Sequence, residues 1–185
     1  GYYYTWVAAI TDFELYGSLK EAFTFGGDLR SLRVQQAVND PRSVTFGRNH
    51  DNIREINASA INPYDDPVDS YLATAYVLAR EGGNVKENVL AVIDSPSVLV
   101  MERGGEGFFM VNKGTDKVDL LLLDLTLSSL EGCYRELRRN FTVAVERRRN
   151  GKKYVTRWGD WSRGGMEVYG RDALYFVREP WEGCR

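Results

Sequence analysis

Near residue 96 the chain changes texture, and the change divides the sequence into two stretches that cannot fold by the same rule. Up to that point, short apolar runs such as Val7-Ala8-Ala9-Ile10 and Ser43-Val44-Thr45-Phe46 alternate with stretches of helical spacing. Strands and helices alternating in this way build βαβ units around a parallel sheet, here in too few copies to close a barrel. Ser18 is a candidate cap for one helical turn, and residues 29–38 carry a rough apolar stripe. Asp66-Pro67 supplies a cap and a first-turn proline to a helix whose apolar face is Val68, Tyr71, Leu72, Ala75, Tyr76 and Ala79. Beyond the change, β-rich runs are predicted at 98–102, 108–112, 118–127, 141–146, 154–157, 166–169 and 173–177, divided by turns. That is the texture of an antiparallel sandwich. Asn150-Gly151 predicts a type I′ hairpin. The flanking Arg147-Arg148-Arg149 and Lys152-Lys153 read as the charged guard of an edge strand.

Composition narrows the partners. Twenty-four basic residues against 26 acidic ones leave a net charge of −2, so no basic field draws the chain to nucleic acid. The longest apolar stretch, 118–127, is interrupted by Asp119 and Asp124 and falls far short of the ~20 residues that span a bilayer, so a soluble chain with no membrane partner is expected. No charged and apolar leader opens the sequence, which leaves secreted and cytoplasmic locations both open. Cys133 and Cys184 either form one bridge or stay as free thiols.

The stretch from Ser43 to Asn52 carries the chemistry: a buried strand runs directly into Asn49-His50-Asp51-Asn52, and His50 is the one histidine of the chain. Taken alone, a histidine beside an aspartate reads either as a local turn or as a site. Asp12 and Glu14 stand at the end of the first apolar run in the same way.

Phe46 with Asn49-His50-Asp51-Asn52 resembles the Phe-Val-x-Asn-His-Asp-Asn motif of the α-amylase family of glycoside hydrolases, which follows that family's seventh barrel strand. Upstream, Ile10-Thr11-Asp12-Phe13-Glu14-Leu15-Tyr16-Gly17 is similar to the Val-Thr-Glu-Phe-x-Tyr-Gly segment at its sixth strand. Downstream, Arg103-Gly104-Gly105-Glu106-Gly107-Phe108-Phe109-Met110-Val111-Asn112 is similar to the Arg-Gly-x-x-Gly-Phe-x-x-x-Asn hairpin that opens its C-terminal β domain.

The resemblance implies an α/β fold for residues 1–95, the C-terminal part of a (β/α)8 barrel, followed over 96–185 by an all-β antiparallel Greek-key sandwich. It implies retaining hydrolysis of α-glucans such as starch by two close carboxylates. The accessory aspartate that distorts the sugar falls on Asp51. The histidine that binds sugar hydroxyls falls on His50, with Asn49 and Arg48 beside it as substrate-binding residues. The family's nucleophile and general acid follow its fourth and fifth strands, and neither motif stands in this sequence, so Glu14 is the remaining acid/base candidate. Its calcium ligands fall mostly outside the matching stretch, so neither a structural metal nor a cofactor is expected. The expected partners are an α-glucan or oligosaccharide, and either a second copy of the chain or a complementary N-terminal barrel segment covering the open barrel edge. A non-catalytic carbohydrate-binding or interaction module derived from an amylase is the alternative.

Overall fold

The computed structural model describes residues 10–24, 26–34, 43–47, 67–80, 88–91, 95–103, 106–119, 131–157 and 167–180. They belong to two compact units, Gly1–Lys86 and Glu87–Arg185.

In the first unit, β1 (Ile10–Thr11) and β2 (Ser43–Val44) pair in parallel, Ile10 opposite Ser43 and Thr11 opposite Val44. Helix α1 (Phe13–Phe23) follows β1 at once. Its start is set by Asp12, whose buried carboxylate accepts the Leu15 N–H at 2.9 Å and so satisfies one of the donors a helix start leaves open. Ser18, the cap expected from the sequence, instead lies inside the helix and donates its hydroxyl to the Glu14 carbonyl at 3.2 Å. Leu15, Leu19, Ala22 and Phe23 recur at helical spacing and are fully buried. A 3-10 turn (Leu29–Val34) occupies the start of the predicted 29–38 stripe, with Asp28 accepting the Arg30 N–H at 2.8 Å. Helix α2 (Pro67–Ala79) lies against α1, with the rings of Phe23 and Tyr76 6.1 Å apart. Of the expected apolar face, Leu72, Ala75, Tyr76 and Ala79 are buried; Tyr71 is instead 47% exposed, and Asp69, Ser70 and Ala73 are buried as well.

These described elements are two helices and a two-residue parallel pair, so the partial (β/α)8 barrel expected for residues 1–95 is overturned. Alternating apolar runs and helical stretches report local periodicity, and periodicity does not say whether successive strands join one sheet.

Among the described residues the second unit is built on one seven-stranded antiparallel sheet, its strands lying side by side in the order Asn88–Ala91, Val98–Arg103, Gly107–Asn112, Asp172–Glu179, Gly132–Glu136, Thr142–Arg147 and Lys153–Arg157. Its strands are β3 (Asn88–Ala91), β4 (Val98–Arg103), β5 (Gly107–Asn112), β7 (Gly132–Glu136), β8 (Thr142–Arg147), β9 (Lys153–Arg157) and β11 (Asp172–Glu179). A separate two-stranded ribbon pairs β6 (Val118–Asp119) with β10 (Glu167–Val168). The sandwich expected for 96–185 is therefore corrected to a single sheet that curls on itself, although the β-rich character of the stretch holds. β3 lies upstream of residue 96 and pairs with β4, so this unit begins at Glu87 and not at the change of texture.

Curling gathers one face into a continuous core of Val100, Phe108, Met110, Tyr134, Val143, Val145, Val155, Val168, Leu174 and Phe176. The register makes this possible. Phe108 stands opposite Phe176, and their rings stack at 4.4 Å with an interplanar angle of 16°. The hairpin β8–β9 closes differently from the expected type I′ turn. The Gly151 N–H donates to the Arg148 carbonyl and the Arg148 N–H to the Lys152 carbonyl, both at 2.9 Å, which makes a three-residue loop. Gly151 takes φ +80 as the last loop residue, where glycine carries no Cβ penalty, while Asn150 is not in the left-handed region.

Tyr134 gives this core a pH signature. It is fully buried, and burial raises its hydroxyl from the usual 10.0 to about 12; nearby Arg178 lowers it, while Glu102 and Glu106 raise it further. The folded state thus holds the proton more tightly than the unfolded chain. The resulting stability is complete below pH ~10 and is lost as pH rises towards ~12, to a total of about 3 kcal/mol. Urea unfolding followed from pH 8 to 12 is expected to show this loss in the wild type, and a correspondingly smaller loss in Tyr134→Phe.

Candidate functional site

The parallel pair fixes one rim. β1 and β2 run in the same direction with Thr11 opposite Val44, so the chain leaves both strands at the same end. From one strand come Asp12, Phe13 and Glu14; from the other come Thr45, Phe46 and Gly47. The Asp12 N–H donates to the Val44 carbonyl at 2.9 Å and ties the two exits together.

Each exit is held by packing. Phe46 lies edge-on to Phe13 at 5.3 Å and stacked on Tyr16 at 5.2 Å, which docks the segment after β2 onto the first turns of α1. On its other side Gly47 is pressed against α2, where a β-carbon would lie 2.7 Å from the Thr74 backbone nitrogen. Only glycine fits between the rim and that helix. The segment entering Arg48-Asn49-His50-Asp51 is thus clamped between α1 and α2 up to residue 47. Arg48, Asn49, His50 and Asp51 themselves lie outside the described residues.

Of the site residues expected from the sequence, Glu14 is described: its side chain is exposed in the first turn of α1, where a negative charge favours the helix N-terminus. Asp12, expected on the same rim, is buried and committed to capping. The rim also carries Phe13, 53% exposed and held by Phe46. Sequence reasoning passed over this ring; its position directly after the capping aspartate was the available signal.

In the stretch resembling the C-terminal hairpin, Phe108 is a core residue and Asn112 is buried. Asn112 donates its amide to the Asp116 carbonyl at 2.7 Å and to the Tyr169 carbonyl at 3.2 Å, and accepts the Gly114 N–H at 3.0 Å. Architecture accounts for both. The aromatic residues Tyr2, Tyr3, Tyr4, Trp6, Trp158, Trp161 and Trp181, whose residue type suits either core packing or stacking on a sugar face, lie outside the described residues. Among the described residues no helix is long and apolar enough to cross a membrane, and no group of three or more His, Cys, Asp or Glu side chains is placed to hold a metal ion.

No protein-family model matches the chain, and no curated protein matches it.

Proposed function

We propose that this chain is a portion of an α-amylase-type glycoside hydrolase acting on α-glucans such as starch, and that Asp51 and His50 hold the sugar, with Asn49 and Arg48 beside them. The observation that carries the reading is the rim. Thr45–Gly47, which run directly into Arg48-Asn49-His50-Asp51, leave a parallel strand pair at the same end as Glu14 and the exposed ring of Phe13. The exposed carboxylate of Glu14 beside the flat apolar ring of Phe13 suits a ligand with hydroxyl edges and a C–H face. The reading rests on this site and not on a barrel, since one chemistry can sit on different folds. Cleavage of a glycosidic bond needs a nucleophile and a general acid together. Asp51 is assigned the accessory role, so we expect the purified chain to bind maltoheptaose without releasing reducing sugar.

Calorimetric titration of maltoheptaose tests this. Asp51→Asn is expected to weaken binding roughly 10- to 150-fold, because a hydrogen bond to a charged group contributes about 1.5–3 kcal/mol. Equal affinity in wild type and variant, or no binding by either, would remove the assignment. Reducing-sugar release from starch that is abolished in Asp51→Asn would show instead that the chain carries its own acid and nucleophile.

A further inference from the structure

We propose that Arg80, at the C-terminal end of α2, is the receptor of an anion site that takes a small oxyanion of carboxylate or phosphate chemistry. Arg80 is only 8% exposed, and its Nη1 is buried with no hydrogen-bond acceptor among the described residues. Its backbone N–H is satisfied by the carbonyls of Tyr76 and Val77, each at 3.2 Å, so the unmet demand lies in the side chain alone. None of the ion pairs found among the described residues includes it. Its aromatic neighbour is Tyr76, with the ring centroid 6.0 Å from Cζ, at the outer limit of a cation–π contact.

A guanidinium keeps its charge at any pH the protein meets, so burial cannot be relieved by losing a proton. The partial negative charge at the end of α2 favours a cation there, but this effect is small beside the desolvation of an ion. The second unit shows the usual solution: the guanidinium groups of Arg138 and Arg139 both pair with the buried carboxylate of Asp172. At Arg80 the corresponding acceptor is missing among the described residues. The last turn of a helix offers carbonyls and no N–H donors, so the guanidinium must supply the recognition. Its planar fork matches the in-plane lone pairs of an oxyanion and has no such match with a halide.

Thermal unfolding of the full chain, at constant ionic strength, tests the site with acetate and inorganic phosphate titrated separately and chloride as the control. In the wild type one of the oxyanions is expected to raise Tm along a saturating curve, on the order of 5–10 °C at a hundred times its dissociation constant. The ion that saturates first identifies the source as a carboxylate or a phosphate. Arg80→Met is expected to show no such rise and, in the absence of oxyanion, to be at least as stable as the wild type, because it removes an uncompensated buried charge. Arg80→Lys keeps the charge without the fork, and its half-saturation is expected to move to at least about tenfold higher concentration. A wild type indifferent to both oxyanions, an equal rise in Arg80→Met, or an equal effect of chloride would overturn the proposal. If Arg80→Met does not fold, an unchanged half-saturation in Arg80→Lys does so.

Discussion

Replacing Phe176 with alanine is expected to lower the stability of the second unit by about 3–5 kcal/mol, the range for truncating a large buried ring. Phe176 is 2% exposed on β11, the strand that joins the two halves of the sheet by pairing with β5 on one side and β7 on the other. Its ring stacks on Phe108 and meets Phe141 edge-on at 5.7 Å, so alanine removes contacts to rings from both flanking directions. The backbone ladder on either side holds the strands in place and prevents the walls from closing over the void. Against a total of 5–15 kcal/mol for a typical domain, such a loss decides whether the unit stays folded. Urea unfolding should show a lower midpoint with an unchanged slope; Phe176→Leu, which keeps most of the volume, should fall well short of the alanine effect. An alanine variant within about 1 kcal/mol of the wild type would mean that the stacked rings are not a packed core.

Reduction of the disulfide is the second large effect. Cys133 is fully buried on β7 and disulfide-bonded, and the one other cysteine of the chain is Cys184, which lies outside the described residues. A bridge between them closes a loop of about 50 residues, which the chain-entropy account values at about 4 kcal/mol of unfolded-state entropy. For a chain of this size that corresponds to a fall in Tm of roughly 8–16 °C. Cys184→Ser is expected to reproduce most of it, since it frees the loop without opening a cavity at Cys133; Cys133→Ala adds the cost of the lost packing. Oxidised and reduced protein unfolding at the same temperature would contradict the account.

The strands that the sequence announced were those with apolar alternation between turns. β4, β5, β8, β9 and β11 fall close to the predicted runs because their inward positions are Val, Phe, Met and Leu and their ends are marked by glycine or charge. β7 was missed for a physical reason. Gly132-Cys133-Tyr134-Arg135-Glu136 carries an inward-facing carboxylate, which reads as loop until its role is seen: Glu136 is fully buried, and its Oε2 accepts the backbone N–H groups of Arg138 and Arg139 and so holds the tight turn into β8. β3 was hidden in a stretch assigned to the preceding unit. The barrel was misread because spacing reports only how each segment meets its neighbours. It cannot show that β1 and β2 pair over two described residues or that α1 and α2 pack against each other. At the candidate site, the run of Asn49-His50-Asp51 was legible as a motif, and its entry through Phe46 and Gly47 was not, because those contacts join segments far apart in sequence.

Where a glucan touches the protein is the most direct measurement of the central claim. Amide spectra of isotope-labelled protein, recorded during a maltoheptaose titration, are expected to shift at Asp12–Glu14 and Thr45–Gly47 and in the Arg48–Asp51 segment that follows. The β7–β8–β9 strands should stay unchanged, and the shifts should vanish in Asp51→Asn. Shifts confined to the second unit, or shifts at the rim that persist undiminished in Asp51→Asn, would contradict it.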